Sequence, residues 1–382
     1  METKYILARA HDKKIRERGE CGGAVTSIFQ YMLDKKVVDG ILTLRRGEDI
    51  YDGIPVLIEN AEDLIETCGS LHCAPTMFAN IISSHLQKMR LGVSVKPCDA
   101  MAIKELEKRH QIDPGMVYKV GLNCGGTVNP LLARRMIRIF YEVDPDDVIK
   151  EEIAKGKFII KLKDGTCREF NIDDLEEKGY GRRANCQRCE IMIPRNADIA
   201  CGNWGAEEGW TFIEINTKKG ALLLEGAIQD GYLETKNVPE KMLIVRDKIE
   251  DSMKKMADNF RDKHLEGEYP TVEEWDDQWK RCIKCLACRD ACPLCFCEEC
   301  ELERDYLMEP ENRPPNPLTF QGIRLFHMGF SCINCGQCED VCPMDIPLSR
   351  IYHKIQWKYY RRTGFAPGMT DELPPMYSGE KI

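Results

Sequence analysis

The sequence predicts a chain in two parts, a long domain of alternating strands and helices followed by a compact cysteine-rich domain. Three observations carry this. The chain has 382 residues, 43% hydrophobic and 31% charged, enough for two or three soluble domains with an apolar core. Strand-like apolar runs alternate with helix-spaced stretches through residues 1–237. Eleven of the twenty cysteines then fall between Cys282 and Cys342. The net charge of −9 argues against a general nucleic-acid binder. No apolar run reaches the ~18 residues of a membrane span. The first twenty residues lack the apolar segment of an export signal, so the cysteines are read as reduced and the protein as cytoplasmic.

Taken in order, residues 5–8 and 37–44 read as strands on either side of a helix at 24–33. Residues 61–66 and 75–89 read as helices, 91–95 as a strand and 100–109 as a helix. A buried strand at 116–122 precedes a helix at 130–141, whose Pro130 suits a first turn. Residues 157–163 and 166–171 flank Asp164-Gly165, a pair that favours the tight hairpin turn. Strands at 198–201 and 210–216 lead to a helix at 220–228. Residues 238–280 begin as a long charged helix and read as a linker. Residues 281–352 form the cysteine-rich domain, and 353–382 a tail rich in Pro and Gly with spaced apolar anchors.

Two runs in the second part have the form C-x₂-C-x₂-C-x₃-C-P. Cys282, Cys285, Cys288 and Cys292 precede Pro293; Cys332, Cys335, Cys338 and Cys342 precede Pro343. Three thiolates at this spacing wrap one cuboidal 4Fe-4S cluster, and the fourth ligates the cluster of the other run. One cluster is therefore assigned to Cys282, Cys285, Cys288 and Cys342, and a second to Cys332, Cys335, Cys338 and Cys292. Zinc sites usually pair two C-x₂-C units instead. The stretch between the runs carries Cys295, Cys297 and Cys300, which pack, bind zinc or ligate a further cluster.

Upstream, Cys98 and Cys124 each follow a predicted strand, Cys186 and Cys189 form a C-x₂-C, and Cys201 stands before Gly202. Two strand-end cysteines and a C-x₂-C can converge on one thiolate site, for zinc or for iron–sulfur. Gly22-Gly23 before a helix can cradle a phosphate on backbone N–H groups, although the same turn opens ordinary helices.

These segments carry a resemblance. In order, Glu20-Cys-Gly-Gly-Ala-Val-Thr26, Pro97-Cys98, Gly121-Leu-Asn-Cys124-Gly125, Asn185-Cys-Gln-Arg-Cys189, Ala197-Asp198-Ile199 and Thr217-Lys-Lys-Gly220 resemble the β-subunit family of coenzyme F420 hydrogenases and dehydrogenases. The resemblance implies an α+β fold with a mixed-sheet domain that binds FAD and the deazaflavin F420, its substrate, and holds one 4Fe-4S cluster. It implies Cys98, Cys124, Cys186 and Cys189 as that cluster's ligands, with Cys201 the rival, for three clusters in all. It implies Gly22, Gly23, Ala24, Thr26, Lys219 and Gly220 as cofactor contacts. The family's Gly-Ser-Lys-Tyr-like segment stands here as Gly69-Ser70-Leu71-His72, so only Gly69 and Ser70 carry over. The two-cluster ferredoxin-like continuation is similar to the formate dehydrogenase branch of the family. That branch implies a catalytic α subunit as partner, possible membership of a larger electron-transfer complex, and transfer between clusters, FAD and F420. The alternatives are a β subunit of another F420-dependent hydrogenase or dehydrogenase, or a pure iron–sulfur relay.

Such a reaction needs no side-chain acid or nucleophile, and none is assigned; His72 and His327 read as packing residues. The F420 tail carries a phosphate and glutamates. Arg182, Arg183 and Arg188, with Arg195 nearby, form the densest cationic stretch beside a cysteine motif and are the expected tail site. Pairing with Glu176 and Glu177 is the competing role, and Arg45 and Arg46 are the fallback site.

Overall fold

In a computed structural model, which describes residues 4–267 and 271–374, the first part is organised by one eight-stranded mixed sheet. Its first five strands are β1 (Lys4–Ala10), β2 (Gly40–Arg46), β3 (Gly53–Ile58), β4 (Leu91–Val95) and β5 (Val117–Leu122). A separate three-stranded meander follows, made of β6 (Val148–Ala154), β7 (Lys157–Leu162) and β8 (Cys167–Asn171). The chain then returns to the main sheet with β9 (Ile199–Gly202), β10 (Thr211–Ile215) and β11 (Leu233–Asn237). The spatial order is β11-β1-β10-β9-β5-β4-β2-β3. β2, β4, β5 and β9 run parallel at the centre, and antiparallel pairs close both sides.

The central strands are largely apolar because both of their faces are covered, with Thr43, Ser94 and Lys119 as buried polar exceptions. β4, Leu-Gly-Val-Ser-Val, is buried throughout. Helices Ala24–Asp34 and Lys218–Gln229 pack on one face around Ile28, Met32, Leu223 and Leu224. Helix Pro97–Lys108 covers the other face with Ala100, Ile103 and Leu106. That second layer does not stop at the domain. It continues through Trp275, Trp279, Phe320, Ile346 and Tyr352, so the cysteine-rich part shares a core with the first.

The expected hairpin forms as β7 and β8, paired from Lys157↔Asn171 to Lys161↔Cys167. Three strands were not expected, and each breaks the strand pattern for a reason. β3 contains Pro55 but lies at an edge, where a missing N–H costs no ladder bond. β11 is Leu-Glu-Thr-Lys-Asn at the opposite edge, with only Leu233 buried. β6 turns Glu151 inward, where an apolar residue is the rule.

The second part differs from its expected boundaries. Helix Glu240–Asp262 is no free linker. Its Arg246 pairs with Glu214 of β10 at 3.0 Å, and its Arg261 stacks 3.8 Å from the Trp357 ring. Helix Val272–Lys280 packs on helix Pro317–Met328, so the cysteine-rich unit begins before residue 281. Helix Leu348–Thr363 runs through the expected boundary at 353. The segment after it crosses helix Pro97–Lys108. Gly368 N–H donates to Glu105 Oε1 at 2.5 Å, Asn196 donates to the Gly368 carbonyl at 3.1 Å, and Lys104 pairs with Asp371 at 2.6 Å. The rest of the expected tail, 375–382, lies outside the described residues. Among the described residues no helix is long and apolar enough to cross a membrane.

Candidate metal centres and the adjoining cofactor site

The two C-x₂-C-x₂-C-x₃-C-P runs fold alike. Each passes through the left-handed region twice before a one-turn helix, at Lys284 (φ 59°) and Leu286 (φ 63°) in the first run and at Asn334 (φ 56°) and Gly336 (φ 76°) in the second. Non-glycine residues adopt this region at a cost. Here the turns hold the thiols on one side and aim backbone N–H groups at sulfur: Lys284 N–H donates to Cys282 Sγ and Asn334 N–H to Cys332 Sγ, both at 3.4 Å. Such bonds stabilise a thiolate ligand.

Cys282, Cys285, Cys288 and Cys342 line one cavity of about 290 Å³, with Phe320, Gln321 and Pro343 in its wall. The crossed assignment of Cys342 to the first run's site therefore has its geometry. Cys292 in turn lies within electrostatic reach of Cys332, Cys335 and Cys338. Cys295 adjoins the second set: its N–H donates to the Cys292 carbonyl at 3.1 Å, its thiol hydrogen-bonds Cys292, and its sulfur lies 3.9 Å from Met328 Sδ. Among the described residues no three His, Cys, Asp or Glu converge on a single-ion site, and Cys295, Cys297 and Cys300 are no exception.

A larger cavity, about 520 Å³, opens where the two parts meet. Cys98, Cys124, Cys186 and Cys189 all line it. Cys98 opens a helix directly after β4, and Cys124 follows β5, so the two parallel strands deliver them side by side. The short helix Ala184–Gln187 supplies Cys186, and Cys189 follows it. Gly126 N–H points at Cys124 Sγ at 3.4 Å. Cys201 is elsewhere, on β9 in the apolar layer with Val120 and Ile213. Burial pushes the Cys189 and Cys332 thiols up to about 12. Such sulfurs lose their protons to a metal, not to water. Four thiols lining one cavity, as in the first set and in this larger cavity, suit a 4Fe-4S cluster.

The cysteine-rich part is fastened to this cavity. Asn185 donates to the Asn334 carbonyl at 3.2 Å, and Asn334 returns a bond to the Asn185 carbonyl at 2.9 Å. Arg183 donates to the Cys335 carbonyl at 3.2 Å and pairs with Asp340. Asn334 and Gln337 belong to the cavity wall. Nothing in the sequence singled out this asparagine pair.

Gly22 and Gly23 open helix Ala24–Asp34 at φ 77° and 72°, with no side chain capping its first N–H groups. They lie just past the C-terminal end of β1, the sheet edge from which Cys98 and Cys124 also emerge. Segment 68–72 connects the two places. Cys68 Sγ lies 3.5 Å from Thr26 Oγ1, the His72 carbonyl accepts from Val128 N–H at 3.1 Å, and Thr127 Oγ1 lies 3.6 Å from Cys186 Sγ. Gly69, at φ 101°, faces open space, and Ser70 is exposed. Gly22, Gly23, Ala24 and Thr26 thus lie at the same end of the sheet as the larger cavity, with Gly69 and Ser70 on the segment that runs from Thr26 toward it.

Lys219 and Gly220 are a correction. They sit at the opposite end of the sheet, where Lys219 Nζ donates to the carbonyls of Pro114 (3.0 Å) and Val117 (2.5 Å). A Cβ on Gly220 would collide with the Asp198 carbonyl, so that glycine serves close helix–strand packing. The arginines are a second correction. Arg182 pairs with Glu176 at 2.6 Å, and Arg188, fully buried, donates to Ser349 Oγ at 2.5 Å and His353 Nδ1 at 3.2 Å. Arg195 spans Glu214 and Glu250. With Arg183 held by Asp340, the three expected tail arginines are buried and committed internally, and Arg195, though exposed, is paired with both glutamates. Arg45 and Arg46 instead end β2 at the cavity's edge of the sheet, Arg46 exposed and Arg45 3.2 Å from Glu66.

Comparison with known proteins agrees with this geometry. Residues 5–83 and 88–241 match the N-terminal and C-terminal sequence models of the coenzyme F420 hydrogenase/dehydrogenase beta subunit, and 278–346 match a 4Fe-4S dicluster domain. The chain is 59% identical to the F420-dependent formate dehydrogenase subunit beta of Methanocaldococcus jannaschii, over 99% of this chain and 100% of that protein. It is 55% identical to the F420-dependent formate dehydrogenase 1 subunit beta of Methanococcus maripaludis, over 99% of both chains. The coenzyme F420 hydrogenase subunit beta of Methanococcus voltae is 28% identical over 62% of this chain and 84% of its own length. A chain of the F420-reducing NiFe hydrogenase complex of Methanosarcina barkeri shares the fold, with a TM-score of 0.61 at 23% identity, over 71% of this chain and 94% of its own. With both halves of the family matched and full-length relatives above half identity, the chain belongs to the coenzyme F420 hydrogenase/dehydrogenase beta-subunit family.

Proposed function

We propose that this chain is the β subunit of an F420-dependent formate dehydrogenase. It carries electrons between a catalytic α subunit, which handles formate, and the deazaflavin F420, its own substrate. The observation that carries this reading is the row of thiol sites leading from the dicluster domain to the sheet edge where the Gly22–Gly23 turn waits. When bound, 4Fe-4S clusters supply one-electron transfer and FAD supplies the exchange of single electrons for hydride.

The chain's own residues then have distinct tasks. Cys282, Cys285, Cys288 and Cys342 hold the first cluster, Cys292, Cys332, Cys335 and Cys338 the second, and Cys98, Cys124, Cys186 and Cys189 the third. The asparagine pair and Arg183 fix the spacing between the second and third sites. The free N–H groups after Gly23 suit the FAD pyrophosphate, because a helix N-terminus attracts anions. Gly69 leaves room for close approach of a flavin, and Thr26 and Ser70 offer hydroxyls. Arg45 and Arg46, on the same edge, suit the anionic F420 tail.

The test is the purified chain, prepared anaerobically. Twelve ligand cysteines call for about 12 Fe per chain. A flavin absorbance band, extraction of FAD and reduction of F420 with reduced viologen as donor are expected. Full iron with neither flavin nor F420 turnover would replace this reading with the pure relay.

A further inference from the structure

Most buried arginines among the described residues face carboxylates. Arg182 has Glu176, Arg183 has Asp340, Arg246 has Glu214 and Arg261 has Glu190. Two do not: Arg188, which donates to Ser349 and His353, and Arg324. Arg324 lies on helix Pro317–Met328 and is 3% exposed. Its Nη2 donates to the Cys288 carbonyl at 3.0 Å, and its Nε is 3.4 Å from Tyr352 Oη. Its Nη1 is buried without a partner. Among the described residues it forms no ion pair. The acidic groups that feel its charge are the Tyr352 phenol and a set of thiols: Cys288 of the first site, Cys292 and Cys338 of the second, and the neighbouring Cys295.

A guanidinium stays charged, and a buried charge without a partner is strongly disfavoured. Its partner must therefore arrive with the loaded sites. Four thiolates around a 4Fe-4S core leave a net negative charge, and reduction adds one more. We propose that Arg324 is the shared counter-cation of both dicluster sites, placed so that the two can be reduced together. This rests on the ligand assignment above. Each site gains one electron, and no bond or proton changes. Without a cation between them, the second electron would enter against the field of the first. With it, the domain can hold a pair of electrons, the quantity that formate releases and F420 accepts. Arg324 is a positioning residue for charge and does not touch the substrate.

The experiment uses the full chain with Arg324→Gln and Arg324→Lys, iron analysis, and redox titration followed by EPR. In the Gln variant both dicluster midpoints should fall together by about 59 mV, a tenfold change in each one-electron equilibrium. The third cluster should keep its midpoint, and the Lys variant should stay near the native values. Iron loss in Gln but not in Lys would also support the proposal, since charge alone separates them. Iron loss in both would show a packing role and overturn it. Full iron with unmoved midpoints, or a shift of one cluster only, would overturn it as well.

Discussion

Glu151 is a carboxylate whose chemistry is altered by its place in the fold. It is 2% exposed, and its carboxylate accepts the His72 N–H at 2.8 Å. Burial raises its carboxyl from 4.5 to about 7, and the hydrogen bonds from His72 and Cys73 only partly offset this. Cys73, Asp49, Tyr51 and His72 surround it. The native state thus binds the proton more tightly than the unfolded chain. The group's contribution to stability is fully present below pH 4.5 and is lost as pH rises through about 7. Glu151→Gln should therefore raise stability by about 2–3 kcal/mol above pH 7 and by almost nothing near pH 4. Thermal melts across that range check it, and a pH-independent difference would contradict the burial argument. The cysteines allow a second prediction. Cys98→Ser should lower iron from about 12 to about 8 per chain, whereas Cys201→Ser should leave it unchanged. Loss of iron in the Cys201 variant would redraw the third site.

At the scale of elements, legibility in the sequence followed exposure to a single environment. The parallel centre, β2, β4 and β5, was readable because burial on both faces leaves a largely apolar run. The two edges and β6 were not, since Pro55, Glu234 with Lys236, and Glu151 follow from being at an edge or from an internal polar contact. The cysteines of the two C-x₂-C-x₂-C-x₃-C-P runs stand out because their spacing is local in the chain, whereas Cys98, Cys124, Cys186 and Cys189, spread over about ninety residues, were grouped as one ligand set only through the family resemblance. The Arg182, Arg183 and Arg188 reading failed because a cationic run looks the same whether solvent or Glu176, Asp340 and Ser349 face it. Lys219 and Gly220 failed likewise, because a glycine that admits a ligand and one that admits a carbonyl have one spelling. Gly220→Val should then cost about 2–3 kcal/mol by overpacking while leaving flavin content unchanged in the folded fraction. Flavin loss without a fall in melting temperature would return that glycine to the cofactor site.

For the whole molecule, the governing fact is that two sequence-separated parts share one core and a C-terminal strap. Phe365 is buried, and Lys108 donates to the carbonyls of Thr370 and Glu372. Ending the chain after Thr363 removes these contacts together with the Gly368 bonds. The expected loss is about 2–4 kcal/mol, from one buried aromatic ring and a few hydrogen bonds. It should appear as a lower melting temperature and faster iron loss from the third site, because the strap lies over the helix that begins at Cys98. Dicluster EPR signals should persist. A truncated chain with native melting behaviour would show the strap to be idle.

The larger cavity has a consequence for how the protein is made. Its wall takes Cys98 and Cys124 from early in the chain, Cys186 and Cys189 from the middle, and Asn334 and Gln337 from near the end. A ribosome delivers these pieces in that order. The early thiols must wait, reduced and unenclosed, until the last eighth of the polypeptide emerges. On the proposed ligation, filling of this cavity would be a late event in biosynthesis, and a stalled or clipped chain would carry its four thiols bare.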